Sequence, residues 1–223
     1  MGRNEADWAA LGLTGNPFEN VLPGEHLDWV DVPAPVRAAL AHRPFVVELV
    51  GEKGAGKTTT LRWYAGHHAD ARYAYCAGAD LPPLPWEGAQ VLCLDEANNL
   101  SRDALEAVAR EARTRGVSLL VSTHWTLAEA LGRVQSFALG RFTALSWVDK
   151  RVAAASLTGR ARFDFDAVAH ALFPRVSRVN YALLRVLYEL AENLARGIEA
   201  HDALDDALAR AREDETVAPF LQP

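Results

Sequence analysis

The sequence predicts an α/β fold in which a five-stranded, mostly parallel sheet is covered by helices, with a smaller helical region after it. Apolar, β-rich runs alternate with helical stretches between about residues 44 and 150, and four of the five runs are apolar almost throughout. Strands of that kind are buried on both faces, which is typical of a parallel sheet between two helix layers. After residue 150 the strand signals stop and only helical patterns remain.

Each predicted element has its own local signal. The predicted strands are 45–50, 72–76, 91–94, 118–122 and 142–148. In the core, the predicted helices are 57–68, one that begins at an N-cap at Ser101 and ends at Gly116, and a short one that begins with a capping box at Thr126 and ends near Gly132. After the core, the predicted helices are 150–156, 165–173 and 177–196, and the last of them can continue through 197–215. The resulting domains are an N-terminal arm at 1–40, an α/β core at 41–148, a helical lid with C-terminal helices at 149–215, and a tail at 216–223.

The composition is that of a globular protein with a substantial core. Of 223 residues, 50% are apolar and 23% are charged, which excludes intrinsic disorder and collagen-like repeats. No apolar run is long enough to span a bilayer, and the N-terminus has no apolar signal segment. The two cysteines, Cys76 and Cys93, both fall inside predicted strands, so we expect no disulfide framework and a cytoplasmic location.

Charge is distributed unevenly along the chain. With 23 basic and 29 acidic residues the formal net charge is −6, which argues against a protein that coats DNA but allows a local basic patch. Residues 150–185 contain seven basic and two acidic residues, whereas 189–215 contain nine acidic and three basic ones. Solvated helix faces would explain both segments. The alternative is a basic lid that faces phosphates and an acidic tail that faces a partner.

A phosphate-binding loop follows the first predicted strand and opens the next helix. Residues 51–58 match the pattern G-x-x-x-x-G-K-[ST], whose glycines let backbone N–H groups point at phosphates. Lys57 would reach the β- and γ-phosphates of ATP, Thr58 would ligate Mg²⁺, and Thr59 would meet the α-phosphate. The candidate nucleotide-binding residues are Gly51, Glu52, Lys53, Gly54, Ala55, Gly56, Lys57, Thr58 and Thr59.

Two carboxylates end the apolar run at 91–94. Beside a phosphate loop, Asp95 is expected to hold Mg²⁺ through its water shell, and Glu96 to accept a proton from the attacking water. The next strand runs out into Thr123 and His124, where a polar side chain can hold that water. Thr123 is the first candidate and His124 the second.

Other classes of phosphate-loop protein fit less well. The sequence has no Asn-Lys-x-Asp for guanine and no Leu-Ser-Gly-Gly-Gln, which argues against a GTPase and an ABC transporter subunit. A small-molecule kinase has no use for a glutamate that activates water, which disfavours that class.

With these motifs the sequence resembles the AAA+ superfamily of P-loop ATPases, and within it the ExeA-like and transposition-helper branch near the origin-recognition ATPases. Besides the two catalytic motifs, the resemblance rests on the stretches at 11–18, 139–146 and 177–180, and it spans roughly 11–195. It implies a P-loop NTPase three-layer core with strand order 5-1-4-3-2 and a small C-terminal α-helical lid.

The resemblance also implies roles for residues outside the two motifs. Arg141 matches the arginine finger that one subunit inserts into its neighbour's ATP site, with a surface arginine as the alternative. Arg178 matches the arginine that reads the γ-phosphate from the lid, although Val176 and Ser177 depart from the family's surroundings. Adenine would lie between arm and lid near Phe18 or Val21, with core packing as the alternative role for Phe18.

The leading functional hypothesis is an oligomeric Mg-ATP-hydrolysing switch or motor that acts on a partner macromolecule, expected to be a protein, and is stimulated by assembly or by that partner. Two alternatives stay open: an ATP-dependent DNA-binding adaptor, and a nucleotide-binding signalling module that hydrolyses slowly or not at all. The basic stretch at 150–185 favours the adaptor, and the net acidity of the chain counts against it.

Overall fold

The chain forms two compact units, one of Leu22–Phe142 and one of Met1–Val21 with Thr143–Pro223. The structure, a computed structural model, describes residues 6–19, 27, 30–139, 145–176 and 180–221. The first unit contains the sheet, and the second is helical. The sequence instead predicts that the arm ends at residue 40 and that the core ends at residue 148.

The first unit is a parallel sheet between two helix layers. Its strands are β1 (Val46–Val50), β2 (Ala71–Tyr75), β3 (Val91–Asp95), β4 (Ser118–Thr123) and β5 (Gln135–Ala138). Its helices are α1 (Ala34–Leu40), α2 (Lys57–His67), α3 (Arg102–Arg115) and α4 (Ala128–Leu131). The strand order is β2-β3-β4-β1-β5 and every pairing is parallel, which confirms the predicted fold and the order 5-1-4-3-2.

Both faces of the sheet are buried, as the apolar runs predict. On β3, Val91 and Cys93 pack into one core with side chains of α1 and α2, whereas Leu92 and Leu94 pack into a second core with α3 and α4. All five residues of β3 are buried. Alternate side chains of one strand therefore fill two cores, and this is why the strand shows no polar alternation.

The fifth strand was predicted wrongly. It lies at Gln135–Ala138, where it pairs with β1 as an edge strand, and not at 142–148. Residues from Ser146 onward form a helix instead, and Leu145 and Val148 are both buried because residues three apart share one face of a helix. The predicted capping box is also absent: Thr126 accepts a hydrogen bond from the Ala128 N–H, and Leu127 occupies the N-cap position of α4.

The helical unit contains α5 (Ser146–Ala155), α6 (Phe165–Leu172), α7 (Asn180–Ala195) and α8 (Ala200–Glu213). Its core joins apolar residues of all four helices. Three fully buried alanines four residues apart, Ala203, Ala207 and Ala211, let α8 approach α7 closely. Among the described residues, none of the helices has both the length and the apolarity that crossing a bilayer requires.

The N-terminal segment packs into the helical unit. A 3₁₀ helix at Trp8–Leu11 precedes Leu13, which bridges to Ser156 and is 1% exposed. Phe18 is also 1% exposed, and its ring meets that of Phe165 edge-on with centroids 5.1 Å apart. Phe18 therefore has the core-packing role, and Val21 lies outside the described residues.

The two cysteines are free and buried, and we predict that they are unreactive in the folded protein. Burial raises the pKa of Cys76 to about 11 and that of Cys93 to about 12, with the nearby charge of Asp95 adding to both. Because only the thiolate reacts, an aromatic disulfide reagent at pH 8 should label neither thiol until denaturant is added, and then both. Rapid labelling of either cysteine under native conditions would contradict this burial.

Candidate functional site

The phosphate loop lies between β1 and α2. Gly54 and Gly56 have φ of 83° and 90°, a left-handed conformation that favours glycine and lets the loop curl back on itself. Lys57 is 4% exposed, and its Nζ donates to the carbonyl oxygens of Gly51 at 2.8 Å and Glu52 at 3.0 Å. The Lys57 side chain therefore lies against the loop whose bound phosphates it is expected to contact.

The electrostatics of the loop favour an anionic ligand. Burial lowers the pKa of Lys57, while the charges of Glu96 and Asp95 act in the opposite direction. An ammonium group that is poorly solvated gains more from pairing with a phosphate than an exposed one does. The N-terminus of α2 adds its partial positive charge at the same place.

Gly51 leaves little room for a side chain, and we predict that Gly51→Ala destabilises the protein. A Cβ at Gly51 would lie 3.1 Å from the Leu139 carbonyl oxygen and 3.1 Å from the Ala55 Cβ. Such crowding costs about 1–3 kcal/mol, which urea denaturation can measure. Gly78→Ala is the matched control, because a Cβ at Gly78 meets nothing within 4 Å. Equal loss of stability in the two variants would contradict the prediction.

Asp95 is held by hydroxyl groups from three elements. Its Oδ1 accepts from Thr58 at 3.1 Å and from Ser122 at 2.5 Å, and its Oδ2 accepts from Tyr73 at 2.6 Å. Burial, followed by the hydrogen bond to Asp95, raises the pKa of Tyr73 to about 12, so the phenol stays a donor. Asp95 is 1% exposed, and its carboxylate is fixed next to the first turn of α2.

Thr58 and Asp95 are suited to a magnesium ion. Hydroxyl and carboxylate oxygens are hard ligands of the kind Mg²⁺ prefers, and Mg²⁺ at nucleotide sites uses few protein ligands and keeps several waters. The 3.1 Å separation of Thr58 Oγ1 and Asp95 Oδ1 shows that the two can face one ion. The residues present therefore fit the metal that the sequence predicts.

Glu96 lies at the end of β3 in an unusual backbone conformation. Its φ of 55° is the one positive φ of a non-glycine residue in the described part of the chain. Its N–H donates to Ser122 Oγ at 2.9 Å, and its Oε2 lies 3.1 Å from Nε2 of His124. Strained backbone of this kind is typical of functional sites and requires surrounding contacts to maintain it. The Glu96 side chain is 23% exposed, so water can reach it.

The structure brings His124, rather than Thr123, to Glu96. The Thr123 hydroxyl is used within its own turn, where it donates to the Trp125 carbonyl at 2.6 Å and accepts from the Trp125 N–H at 3.3 Å. The His124 N–H donates to Asn98 Oδ1 at 3.1 Å, and this bond holds the start of the loop between β4 and α4 next to the segment that follows β3. His124, the second candidate for holding the attacking water, is therefore the one that contacts Glu96.

The predicted site residues fall into two groups. The structure brings together Lys57, Thr58, Asp95 and Glu96 at the carboxyl ends of β1 and β3, the two strands that flank β4. Arg141 and Arg178 lie outside the described residues, so their roles stay predictions. Sequence reasoning missed Tyr73 and Ser122, although polar residues near the carboxyl ends of strands beside β3 are a signal that could have indicated them.

A phosphate loop after β1 and two carboxylates at the end of β3, on a parallel sheet of order β2-β3-β4-β1-β5, define the P-loop NTPase fold. Solved structures of RuvB from Thermotoga maritima share this fold. The chain is similar to the RuvB Holliday junction branch migration motor, with a TM-score of 0.51 and 18% identity over 76% of this chain and 63% of that one. A RuvB point mutant gives a TM-score of 0.50 and 13% identity over 91% of this chain and 75% of that one.

These likenesses show a common fold. The chain spans less than two thirds of the length of the first RuvB structure. No protein-family model matches the chain, and no curated protein matches it significantly in sequence.

Proposed function

We propose that this chain binds and hydrolyses Mg-ATP as an AAA+ type ATPase and acts as an oligomeric switch or motor on a partner macromolecule. The observation that carries the proposal is that one edge of the sheet holds a phosphate loop, the Thr58–Asp95 pair, and Glu96 in contact with His124. ATPases of this kind need positioning and charge stabilisation more than covalent chemistry. The fold shared with a branch migration motor supports the proposal.

Each residue at the site has a proposed task. The backbone N–H groups of residues 51–59 bind the triphosphate, and Lys57 moves from its loop carbonyls to the β- and γ-phosphates. Thr58 and Asp95 would hold Mg²⁺, which supplies charge neutralisation on the phosphate oxygens when it is bound. Glu96 takes the proton of the attacking water, and His124 orients the Glu96 carboxylate.

Assembly is proposed to complete the site. The resemblance assigns Arg141 as a finger that acts on a neighbouring subunit and Arg178 as a contact to the γ-phosphate. An arginine supplied in trans can be worth about 10³-fold in rate, so dilute protein should be nearly inactive. A specific activity that stays flat with protein concentration across the assembly range would remove the reason for invoking Arg141.

Subunit mixing tests the finger more sharply. Arg141→Ala and Glu96→Gln should each be inactive alone. When the two variants are mixed, an intact Glu96 can meet an intact Arg141 of its neighbour, and activity should return. Failure of the mixture to recover any turnover, with mixed oligomers shown by mass photometry, would contradict a finger supplied in trans.

A DNA-binding adaptor is the second candidate. Arg160, Arg162 and Arg175 are exposed on the helical unit, and Arg185 forms an ion pair with Glu189 at 2.9 Å. The basic stretch thus keeps several exposed cations that could contact phosphates. An electrophoretic mobility shift assay with duplex DNA tests this function. Binding that occurs with ATP, does not occur with ADP and weakens steeply as the salt concentration rises would favour the adaptor over a motor that acts on protein alone.

A further inference from the structure

A buried carboxylate lies in the middle of β1 and has no part in the proposed site. Glu48 is the middle residue of β1, between Val47 and Leu49, and is 0% exposed. Taking an ionisable side chain out of water is unfavourable unless hydrogen-bond donors satisfy it. A central strand of this kind would be expected to carry an apolar residue here, so the contacts of Glu48 need an explanation.

Three donors from two other elements converge on Glu48. Its Oε1 accepts from the Leu127 N–H, and its Oε2 accepts from the Thr126 hydroxyl at 3.0 Å and the Ser136 hydroxyl at 2.6 Å. Ser136 belongs to β5, the edge strand paired with β1. Two of the three donors belong to the loop that joins β4 to α4. Glu48 therefore fixes that loop against the middle of β1.

The same loop begins with His124. The Thr123 hydroxyl bonds both the N–H and the carbonyl of Trp125, so the turn between His124 and Thr126 is held internally. At its start His124 meets Glu96, and at its end Thr126 and Leu127 meet Glu48. A shift at the Glu48 end would thus move the imidazole relative to the Glu96 carboxylate.

We propose that Glu48 is a positioning residue: it anchors the loop after β4 and thereby holds His124 against Glu96. This inference rests on the proposed ATPase function. Glu48 acts through His124 and does not touch the nucleotide. Its loss should therefore lower kcat and leave KM and nucleotide affinity nearly unchanged.

The first arm of the test compares two changes at Glu48. Glu48→Val removes all three acceptor contacts while keeping a residue that favours a buried strand. Glu48→Gln keeps an acceptor for the Leu127 N–H, and its amide can donate to the two hydroxyls, which can rotate to accept. We expect kcat to fall by about tenfold or more in the valine variant and to be largely retained in the glutamine variant.

A second variant keeps the test valid if Glu48→Val fails to fold. Thr126→Val removes one anchor of the loop and should lower kcat in the same direction. Its matched control is Thr114→Val, which removes a hydroxyl bonded to the Arg110 carbonyl on the exposed face of α3 and should leave kcat unchanged. An effect of the same size in both threonine variants would overturn the proposal.

A double-mutant cycle separates positioning from a merely structural role. If Glu48 acts through His124, Glu48→Val should lower kcat little further in a His124→Ala background. A loss of the same factor in both backgrounds would show that Glu48 acts independently of His124 and would overturn the proposal.

The last readout does not need turnover. Amide exchange at Leu127 should speed up by about tenfold or more in Glu48→Val and stay near the wild-type rate in Glu48→Gln. The ¹⁵N signals of the His124 ring should shift in the valine variant alone. If the wild type binds Mg-ATP but never hydrolyses it, the proposed function fails, while these signals still decide whether Glu48 places His124. Unchanged exchange and unchanged ring signals in Glu48→Val would overturn the inference.

Discussion

Glu96→Gln is expected to lower steady-state ATP turnover by about 10²-fold or more while Mg-ATP still binds. General-base catalysis contributes roughly 10²–10⁴-fold, and an amide cannot take a proton from water. The phosphate loop and Asp95 do not depend on the charge of Glu96 for their contacts, because loop carbonyls and hydroxyls make them. The variant should therefore hold ATP and accumulate the ATP-bound assembly.

Phosphate release and nucleotide affinity should be measured on the same preparation. Glu87→Gln is the matched control, since Glu87 is an exposed glutamate in the loop before β3. Turnover equal to wild type in Glu96→Gln would exclude Glu96 as the base. Equal, low turnover in the wild type and both variants would favour a nucleotide-binding signalling module instead.

Lys57→Ala is expected to weaken ATP binding by at least about tenfold, equivalent to about 1.4 kcal/mol. Hydrogen bonds to charged groups are worth roughly 1.5–3 kcal/mol, and Lys57 is the one lysine of the loop that is buried against it. Folding stability should change little. The loss of the bonds to Gly51 and Glu52 is offset because a poorly solvated cation is removed.

Calorimetry with Mg-ATP and a thermal unfolding curve check both parts of this prediction. Arg110→Ala, which removes an exposed cation from α3, should bind ATP like the wild type. An affinity for Lys57→Ala within twofold of wild type would mean that the lysine does not contact the phosphates.

The sequence predicts the sheet well wherever strands are buried on both faces. Apolar runs predict β1, β3 and β4 to within one residue at each end, because such runs are favourable only between helix layers. The partly buried edge strand β2 is also predicted to within one residue. The edge strand β5 escaped prediction because it is largely exposed, and Gln135 and Ser136 give it a polar composition. The apolar segment after it predicts a strand at 142–148, whereas residues from Ser146 onward form a helix.

In the site, the sequence predicts the contiguous motifs but not the contacts that depend on the fold. The phosphate loop and the Asp95–Glu96 pair are contiguous motifs, so sequence spacing alone places them after strands. The contacts of Tyr73 and Ser122 with Asp95 depend on the register of β2 and β4 against β3. The choice between Thr123 and His124 depends on a turn in which the threonine hydroxyl bonds Trp125, and no pattern in the sequence predicts that turn.

Isothermal titration calorimetry of the wild-type protein with ATP, in the presence and absence of Mg²⁺, tests the proposed site most directly. We expect about one nucleotide per chain, bound more tightly with Mg²⁺ than without, and a Mg²⁺ dependence that Asp95→Asn reduces. Folded protein that takes up no Mg-ATP, or that binds ATP equally well with and without the ion, would contradict a magnesium-nucleotide site at this edge of the sheet.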